Sequence, residues 1–595
     1  MKQFFKMFFA SMLAIAITSV LLILLVVGMI VGATKSVTEE PMPAIQAQSV
    51  LVIDVNKSIY ERSENNSFAA FSEGSSFTPG LFDMVRTIDY ARTDDQIKGI
   101  LLKVEGSPSG WATMQQLRGA LARFKESKKF MFAYAEDITQ RSYYIANVAD
   151  AVYLNPVGGF ELKGFAAQLP FFKGTFEKLE VKPEIFYAGQ FKSATEPFRA
   201  DKMSEPNKAQ IRVYQNDIWD VFLQTLITKT GADSATIHQW AATGAVQFPA
   251  DAVDKKLIDA LLYWDEVESK ILAKLGKKEG DKISYVSMDE YANYARSKRK
   301  IDNNKIAVLY AEGDIVDGES MQDRQIASKN MVQEIRKIKK NDKVKAVVLR
   351  VNSGGGSALA SEVILRELKL LQEKKPVVVS MGDVAASGGY YISCMADSIF
   401  AMPTTLTGSI GVFTMLFNTE NLLKNKFGIT LDEVKNSEFA DFPSFTRPLS
   451  AEEKQRMQAG VDTIYATFKS RVAQGRKMSM AAVDSIAQGR VWTGEDALEV
   501  GLVDGLGDLH RALLSAARLA AVTDYQIVTY PEPIDEFQSI LRRFKKAGVS
   551  SETVARAVIG KELQEEYPWL TSLKNLYRMN GKAQMAMPWQ LINGR

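Results

Sequence analysis

The chain has 595 residues, 46% of them hydrophobic and 24% charged, which is the balance of a folded protein and length for about three or four domain-sized units. Lys and Arg number 73 against 70 Asp and Glu, so the formal charge of +3 makes nucleic acid a poor partner on electrostatics alone, and a mean hydropathy of −0.10 excludes a polytopic membrane protein. One cysteine, Cys394, and two histidines, His238 and His510, exclude a disulfide framework, a cysteine zinc cluster and a histidine-rich metal site. No cofactor is expected, and a hydrolase of this composition needs a base other than histidine.

Met7 to Thr34 runs 28 residues without a charge. A membrane-spanning helix needs about 20 apolar residues, and a secretory leader has a much shorter apolar core. Residues 1–35 therefore read as a cytoplasmic tip and an uncleaved transmembrane anchor. Lys2 and Lys6 favour an inside N-terminus, so the remainder is expected across the membrane. Residues 36–47, with Pro41 and Pro43, read as a linker.

An internal repeat follows. Ile97–Val104 matches Val344–Val351 at an offset of 247, and the same offset sets Tyr143-Tyr144-Ile145 on Tyr390-Tyr391-Ile392, Asp150 on Asp397, Pro156 on Pro403 and Gly164 on Gly411. Leu257-Ile258-Asp259 matches Leu502-Val503-Asp504 at an offset of 245. Two homologous domains are expected, at 48–262 and 304–525, with a lysine-rich interdomain segment at 263–303 and an extension at 526–595. Each repeat reads as α/β. Lys305–Tyr310, Ala346–Val351 and Val377–Ser380 suit buried parallel strands, and Val363, Ile364, Leu368 and Leu371 mark a crossover helix between the last two.

Three motifs in the second repeat carry potential chemistry. Asn352-Ser353-Gly354-Gly355-Gly356 follows a strand and precedes a helix. Glycines there let backbone N–H groups face a ligand, as a phosphate nest, an oxyanion hole or a plain turn. Gly382-Asp383-Val384-Ala385-Ala386-Ser387-Gly388-Gly389 places a serine where a strand gives way to a helix. Ser387 is a nucleophile candidate with the Gly388 N–H beside it, or a helix N-cap. In Thr407-Gly408-Ser409-Ile410-Gly411, Ser409 is a nucleophile, a helper or a turn residue.

The repeat serves as an internal control. Gln140 stands opposite Ser387, Leu162 opposite Ser409, and Gly106-Ser107-Pro108-Ser109-Gly110 opposite the glycine loop, so the first repeat lacks both serines. It holds instead Gln190-Phe191-Lys192-Ser193-Ala194-Thr195-Glu196-Pro197, and with a one-residue shift Lys192 falls on Ala440. One half keeps serines and the other a lysine. That complementarity points to one composite site between the repeats, where desolvation lowers a lysine pKa enough to make it a base.

Together Val344–Gly356, Met381–Ser393, Thr407–Val412, Phe191–Pro197 and Gly489–Asp504 resemble the signal peptide peptidase A family in its long, tandem-repeat, membrane-anchored form. The resemblance spans nearly the whole chain. It implies two tandem α/β domains of the fold shared by the Clp protease proteolytic subunit and the crotonases, behind one N-terminal transmembrane helix. It implies a Ser–Lys dyad with Ser387 as nucleophile and Lys192 as base, Ser409 holding the lysine, and Gly355 and Gly356 joining Gly388 as the oxyanion hole. It further implies a homotetramer on the outer face of the inner membrane that degrades hydrophobic signal-peptide remnants. The chain departs from the family at Gly354, where proline is usual.

Two other classes compete with a serine protease. One is a crotonase-like acyl-CoA enzyme, opposed by an active site across the membrane from CoA. The other is a non-catalytic membrane scaffold, opposed by the retention of Ser387 and Lys192. A triad using His510 is a third possibility, against a surface or capping role for that residue. In the extension, Ile534, Phe537, Ile540, Leu541 and Phe544 form one helical face suited to an oligomer contact or to anionic lipid, and Met585-Ala586-Met587-Pro588-Trp589 reads as an apolar tail docking on a neighbour.

Overall fold

A computed structural model describes residues 45–65, 77–299, 302–320, 322, 324–532 and 582–586, together with Thr18. The expected anchor at 7–34, Thr18 apart, and the helical face at 534–544 lie outside the described residues. Among the described residues no helix is long and apolar enough to cross a membrane.

The runs of Val, Ile and Leu form parallel strands buried on both faces. In the first repeat the sheet order is Ala260–Leu261, Ala151–Phe160, Phe130–Ile138, Ile97–Lys103, Ser49–Asp54, Tyr285–Ser287. In the second, Gly505–Leu506, Ser398–Ala401, Val377–Ala386, Val344–Ser353, Lys305–Glu312 and Gln526–Tyr530 lie side by side in the corresponding order. The matched residues of the repeat perform matched tasks. Asp150 accepts a hydrogen bond from the Met131 N–H, and Asp397 from the Val377 N–H. Asp259 accepts from the Val152 N–H and Asp504 from the Ile399 N–H. The Tyr143 hydroxyl donates to the Leu257 carbonyl and the Tyr390 hydroxyl to the Leu502 carbonyl. A strand end buried without such partners is costly, which accounts for the persistence of these residues in both halves.

The crossover helix runs Ala358–Gln372 and buries Ile364, Leu365, Leu368 and Leu371. Val363, expected on that face, is exposed, because the apolar stripe turns through Leu365 instead. The lysine-rich segment after the first repeat carries two helices, Trp264–Leu275 and Met288–Ser297, and the strand Tyr285–Ser287 at the edge of the first sheet. Lys270, Lys274, Lys278, Lys282 and Lys298 are exposed while Val267, Ile271 and Tyr291 are buried.

A third sheet joins the repeats. Its order is Gln325–Ala327, Asp314–Val316, Gly355–Ser357, Gln584–Ala586, Val412–Asn418, Lys182–Ala188. The final pair is antiparallel over seven positions, from Val412 opposite Ala188 to Asn418 opposite Lys182, so a strand of the first repeat is hydrogen-bonded into the second. Met585 and Ala586 do not await a neighbour, as the sequence suggested. They lie in this chain, antiparallel to Gly355–Ser357.

Two polar contacts, one buried and one part-buried, also fasten the repeats. Arg350, on a second-repeat strand, donates from Nε and Nη2 to the Glu61 carboxylate at 2.8 and 2.9 Å and from Nη1 to the Ser380 Oγ and the Met381 carbonyl. Asp383 accepts from the Thr113 N–H at 2.8 Å and from the Thr113 Oγ1 at 2.7 Å, capping a first-repeat helix whose own N-cap, Gly110, has no side chain to do so.

Candidate active site

Strand Lys182–Ala188 ends beside Val412, and Ser409 lies just ahead of Val412 in the chain. That register carries the loop after Ala188 to the serine motif. The Phe191 N–H donates to the Gln488 carbonyl, and the Ser409 N–H to the Arg490 carbonyl, so one short segment of the second repeat pins both the lysine loop and Ser409. Lys192 then points inward. Its Nζ donates to the Ser387 Oγ at 2.8 Å, the Ser409 Oγ at 3.1 Å and the Ser409 carbonyl at 3.1 Å.

Lys192 is 2% exposed, and burial alone brings its pKa down to about 7. Once neutral, the amine keeps two N–H groups for Ser409 and turns its lone pair to Ser387, whose hydroxyl then donates to Nζ and can pass its proton there. Ser387 stands between strand Val377–Ala386 and the one-turn helix Gly388–Tyr391, at φ 55° and ψ −114°, outside the backbone regions an ordinary residue favours. It occupies the N-cap position but makes no capping hydrogen bond, so its hydroxyl is left to Lys192. The strained turn is held by the Ser387 N–H, which donates to the Gly408 carbonyl at 2.8 Å.

The glycine loop is not a simple turn. Gly355–Ser357 forms a strand of the third sheet, with Gly355 at φ 101°. A Cβ on Gly355 would stand 2.6 Å from the Gly388 nitrogen, so only glycine lets the two backbone segments approach. The backbones of Gly355, Gly356 and Gly388 thus converge beside Ser387. Two N–H-bearing segments meeting next to a serine are what stabilising a tetrahedral oxyanion requires.

All six residues singled out from the sequence come together: Lys192, Ser387, Ser409, Gly355, Gly356 and Gly388. His510 does not join them; it is exposed near the start of helix Leu509–Leu519. Sequence reasoning missed Gln210. Buried on helix Glu205–Thr230, its Nε2 donates to the Phe191 carbonyl at 3.2 Å and to the Ser193 Oγ at 3.1 Å, while its Oε1 accepts the Val491 N–H at 3.2 Å. It ties the lysine loop to the second repeat from behind. A glutamine on a long helix with no marked apolar face gave no signal in the sequence.

The chain is similar to known proteins along most of its length. The model of peptidase family S49 matches the chain twice, over residues 123–278 and 369–523. Protease 4 of Salmonella typhi is 36% identical over 82% of this chain and 81% of its own length, and Protease 4 of Haemophilus influenzae is 35% identical over 80% and 79%. The chloroplastic serine protease SPPA of Arabidopsis thaliana is 32% identical over 74% of this chain and 66% of its own. A solved ClpP1 mutant from Listeria monocytogenes aligns over 35% of this chain and 94% of its own, at 13% identity and a TM-score of 0.24. With two family matches and relatives aligned along most of its length, this α/β chain belongs to peptidase family S49 and is a serine protease.

Proposed function

We propose that the protease works through a Ser–Lys dyad assembled from the two repeats, with Ser387 as nucleophile and Lys192 as general base. The observation that carries this reading is the 2.8 Å contact between the Lys192 Nζ and the Ser387 Oγ in a buried site that lowers the lysine pKa to about 7. Neutral Lys192 accepts the Ser387 proton as Oγ attacks the scissile carbonyl carbon. The negative charge on the carbonyl oxygen is met by the N–H groups of Gly356 and Gly388, while the Gly355 N–H donates to the Ser353 Oγ at 3.1 Å and holds the glycine strand in place. Lys192 then passes the proton to the leaving amine and the peptide bond breaks. Water, deprotonated by the same lysine, hydrolyses the acyl-enzyme and restores both residues. Ser409 holds the amine in line through its Oγ and carbonyl.

The substrates in this reading are cleaved signal peptides and similar hydrophobic peptides. One relative, from Enterococcus faecium, bears the name putative signal peptide peptidase SppA, and the apolar run at 7–34 supports work at a membrane surface. The chain is then single-pass, with its catalytic bulk on the outer face of the inner membrane, in a fold of the Clp protease and crotonase kind, assembled as a homotetramer. Lys192→Met tests the dyad because it fills the same space without a base. Hydrolysis of an apolar peptide should fall by roughly 10³-fold or more while thermal unfolding stays cooperative. Retained hydrolysis would remove Lys192 from the mechanism. External protease applied to spheroplasts tests the topology, and protection of the whole chain would refute it.

A further inference from the structure

Three residues of the second repeat, Gln488, Gly489 and Arg490, form the surface on which the lysine loop rests. The Gln488 carbonyl accepts the Phe191 N–H at 2.8 Å, and the Arg490 carbonyl accepts the Ser409 N–H at 2.7 Å. A Cβ on Gly189, where the loop begins, would stand 2.5 Å from the Gln488 carbonyl carbon, so the two backbones are in contact there. The Arg490 guanidinium lies 5.6 Å from the centre of the Phe191 ring and 4.1 Å from that of Trp492, which grips the residue next to Lys192. The base is therefore only as well placed as these three residues are.

They are not held in a relaxed conformation. Gln488 sits at φ 54°, in the left-handed region that a residue with a Cβ enters only when its surroundings require it. Its N–H donates to the Tyr465 hydroxyl oxygen at 3.1 Å, and among the described residues this is the one side-chain hydrogen bond to the backbone of 488–490. Tyr465 is buried on helix Ala451–Arg476. The Lys469 Nζ stands 4.5 Å from the centre of its ring and is itself paired with Asp484 at 2.5 Å. Burial pushes the Tyr465 hydroxyl up to about 12, so it remains a neutral acceptor while Lys192 titrates near 7.

The first repeat is again the control. Trp219 stands at the same place in the equally long helix Glu205–Thr230, 26 residues in each case. An indole has a donor and no acceptor, and the Trp219 Nε1 goes to the His238 Nε2 at 3.0 Å. At the offset of 245, Gly244 answers to Gly489. A Cβ on Gly244 would meet nothing within 4 Å, whereas one on Gly489 would strike Lys192. The acceptor hydroxyl is present in the repeat whose segment bears the lysine and absent from the repeat whose segment bears nothing.

We propose that Tyr465 is a positioning residue for the catalytic lysine: its hydroxyl holds Gln488 in the left-handed turn, and the turn holds Lys192 against Ser387. The proposal rests on the Ser–Lys reading of the site. Tyr465 touches neither reacting group, and it acts through the backbone of 488–490.

Two variants of the full-length chain test this. Tyr465→Phe keeps the ring and removes the acceptor, so kcat for an apolar peptide should fall about ten-fold with KM nearly unchanged. The acidic limb of the pH–rate profile should move to higher pH, because a lysine less completely buried is harder to deprotonate. Tyr465→Phe with Gln488→Gly should recover most of kcat and return the limb toward pH 7, since glycine takes a positive φ without a tie. An unchanged kcat and an unmoved limb in Tyr465→Phe, with only Tm lowered, would make the residue structural and overturn the proposal. A double variant as slow as the single one would also overturn it, since the loss would then not run through Gln488. Lys192→Met, measured alongside, separates the two readings. Hydrolysis lost there and untouched in Tyr465→Phe removes the positioning role alone. Hydrolysis retained in Lys192→Met removes the dyad and the positioning role with it.

Discussion

Gly489 lies directly against Lys192: a Cβ added there would stand 2.7 Å from both the Cβ and the backbone nitrogen of the lysine, on a residue at φ 76°. The base reaches Ser387 because this position in the opposite repeat has no side chain. Gly489→Ala should therefore displace the lysine loop. Misplacement of a catalytic group by about 1 Å can cost on the order of 10²-fold in rate. Peptide hydrolysis should drop by about that factor, and Tm should also fall because alanine is strained at this φ. Steady-state kinetics with calorimetry checks both.

Gln210 acts on the same loop from behind. Gln210→Leu keeps the volume and removes the bonds to Phe191, Ser193 and Val491. We expect kcat to fall about ten-fold with KM nearly unchanged, and the acidic limb of the pH–rate profile to shift as Lys192 changes its surroundings. Gln210→Glu, which still accepts the Val491 N–H, should recover part of the loss. An effect confined to Tm would make the residue merely structural.

Two buried groups give stability opposite pH slopes. Lys192 is lowered from 10.5 to about 7, so between those values the unfolded chain binds the extra proton and stability rises with pH. Glu312 is raised from 4.5 to about 7, first by burial and then by Glu61, so between those values the folded chain binds the extra proton and stability falls as pH rises. Urea unfolding from pH 4.5 to 10 should show a minimum near pH 7. Lys192→Met should flatten the upper limb and Glu312→Gln the lower. The rate of hydrolysis should rise through about pH 7, as Lys192 loses its proton, and then level.

The Glu61–Arg350 pair is fully enclosed. Arg350→Met leaves the Glu61 carboxylate buried without its partner, an imbalance that costs about 3–5 kcal/mol. The double replacement Arg350→Met with Glu61→Leu should recover most of that, because the remaining side chains are apolar. Chemical denaturation of the single and double variants measures the difference.

The composite site was legible because the repeat supplied its own control: Gln140 and Leu162 where the second half has Ser387 and Ser409, and Ala440 where the first has Lys192. Central strands were legible for the same reason that they are buried, as unbroken apolar runs. Contacts made across long stretches of chain were not. Nothing in the spacing relates Asp383 to Thr113, Glu61 to Arg350, or Met585 to Gly356, since the first two pairings depend on how the repeats close on each other and the third on where the C-terminal segment returns to the second repeat. The packed helices within the interdomain segment at 263–303 were hidden because the lysines on their outer faces dominate the composition, while a few inward residues, such as Ile271 and Tyr291, do the packing.

The central claim is that Ser387 is the nucleophile and that Ser409 only holds the lysine. Intact-mass analysis after treatment with a fluorophosphonate probe tests it most directly. One adduct is expected on the wild-type chain, located at Ser387, with none on Ser387→Ala and a slower but complete reaction on Ser409→Ala, where Lys192 has lost one of its partners. An adduct on Ser409 in the wild type, or undiminished labelling of Ser387→Ala, would contradict the assignment.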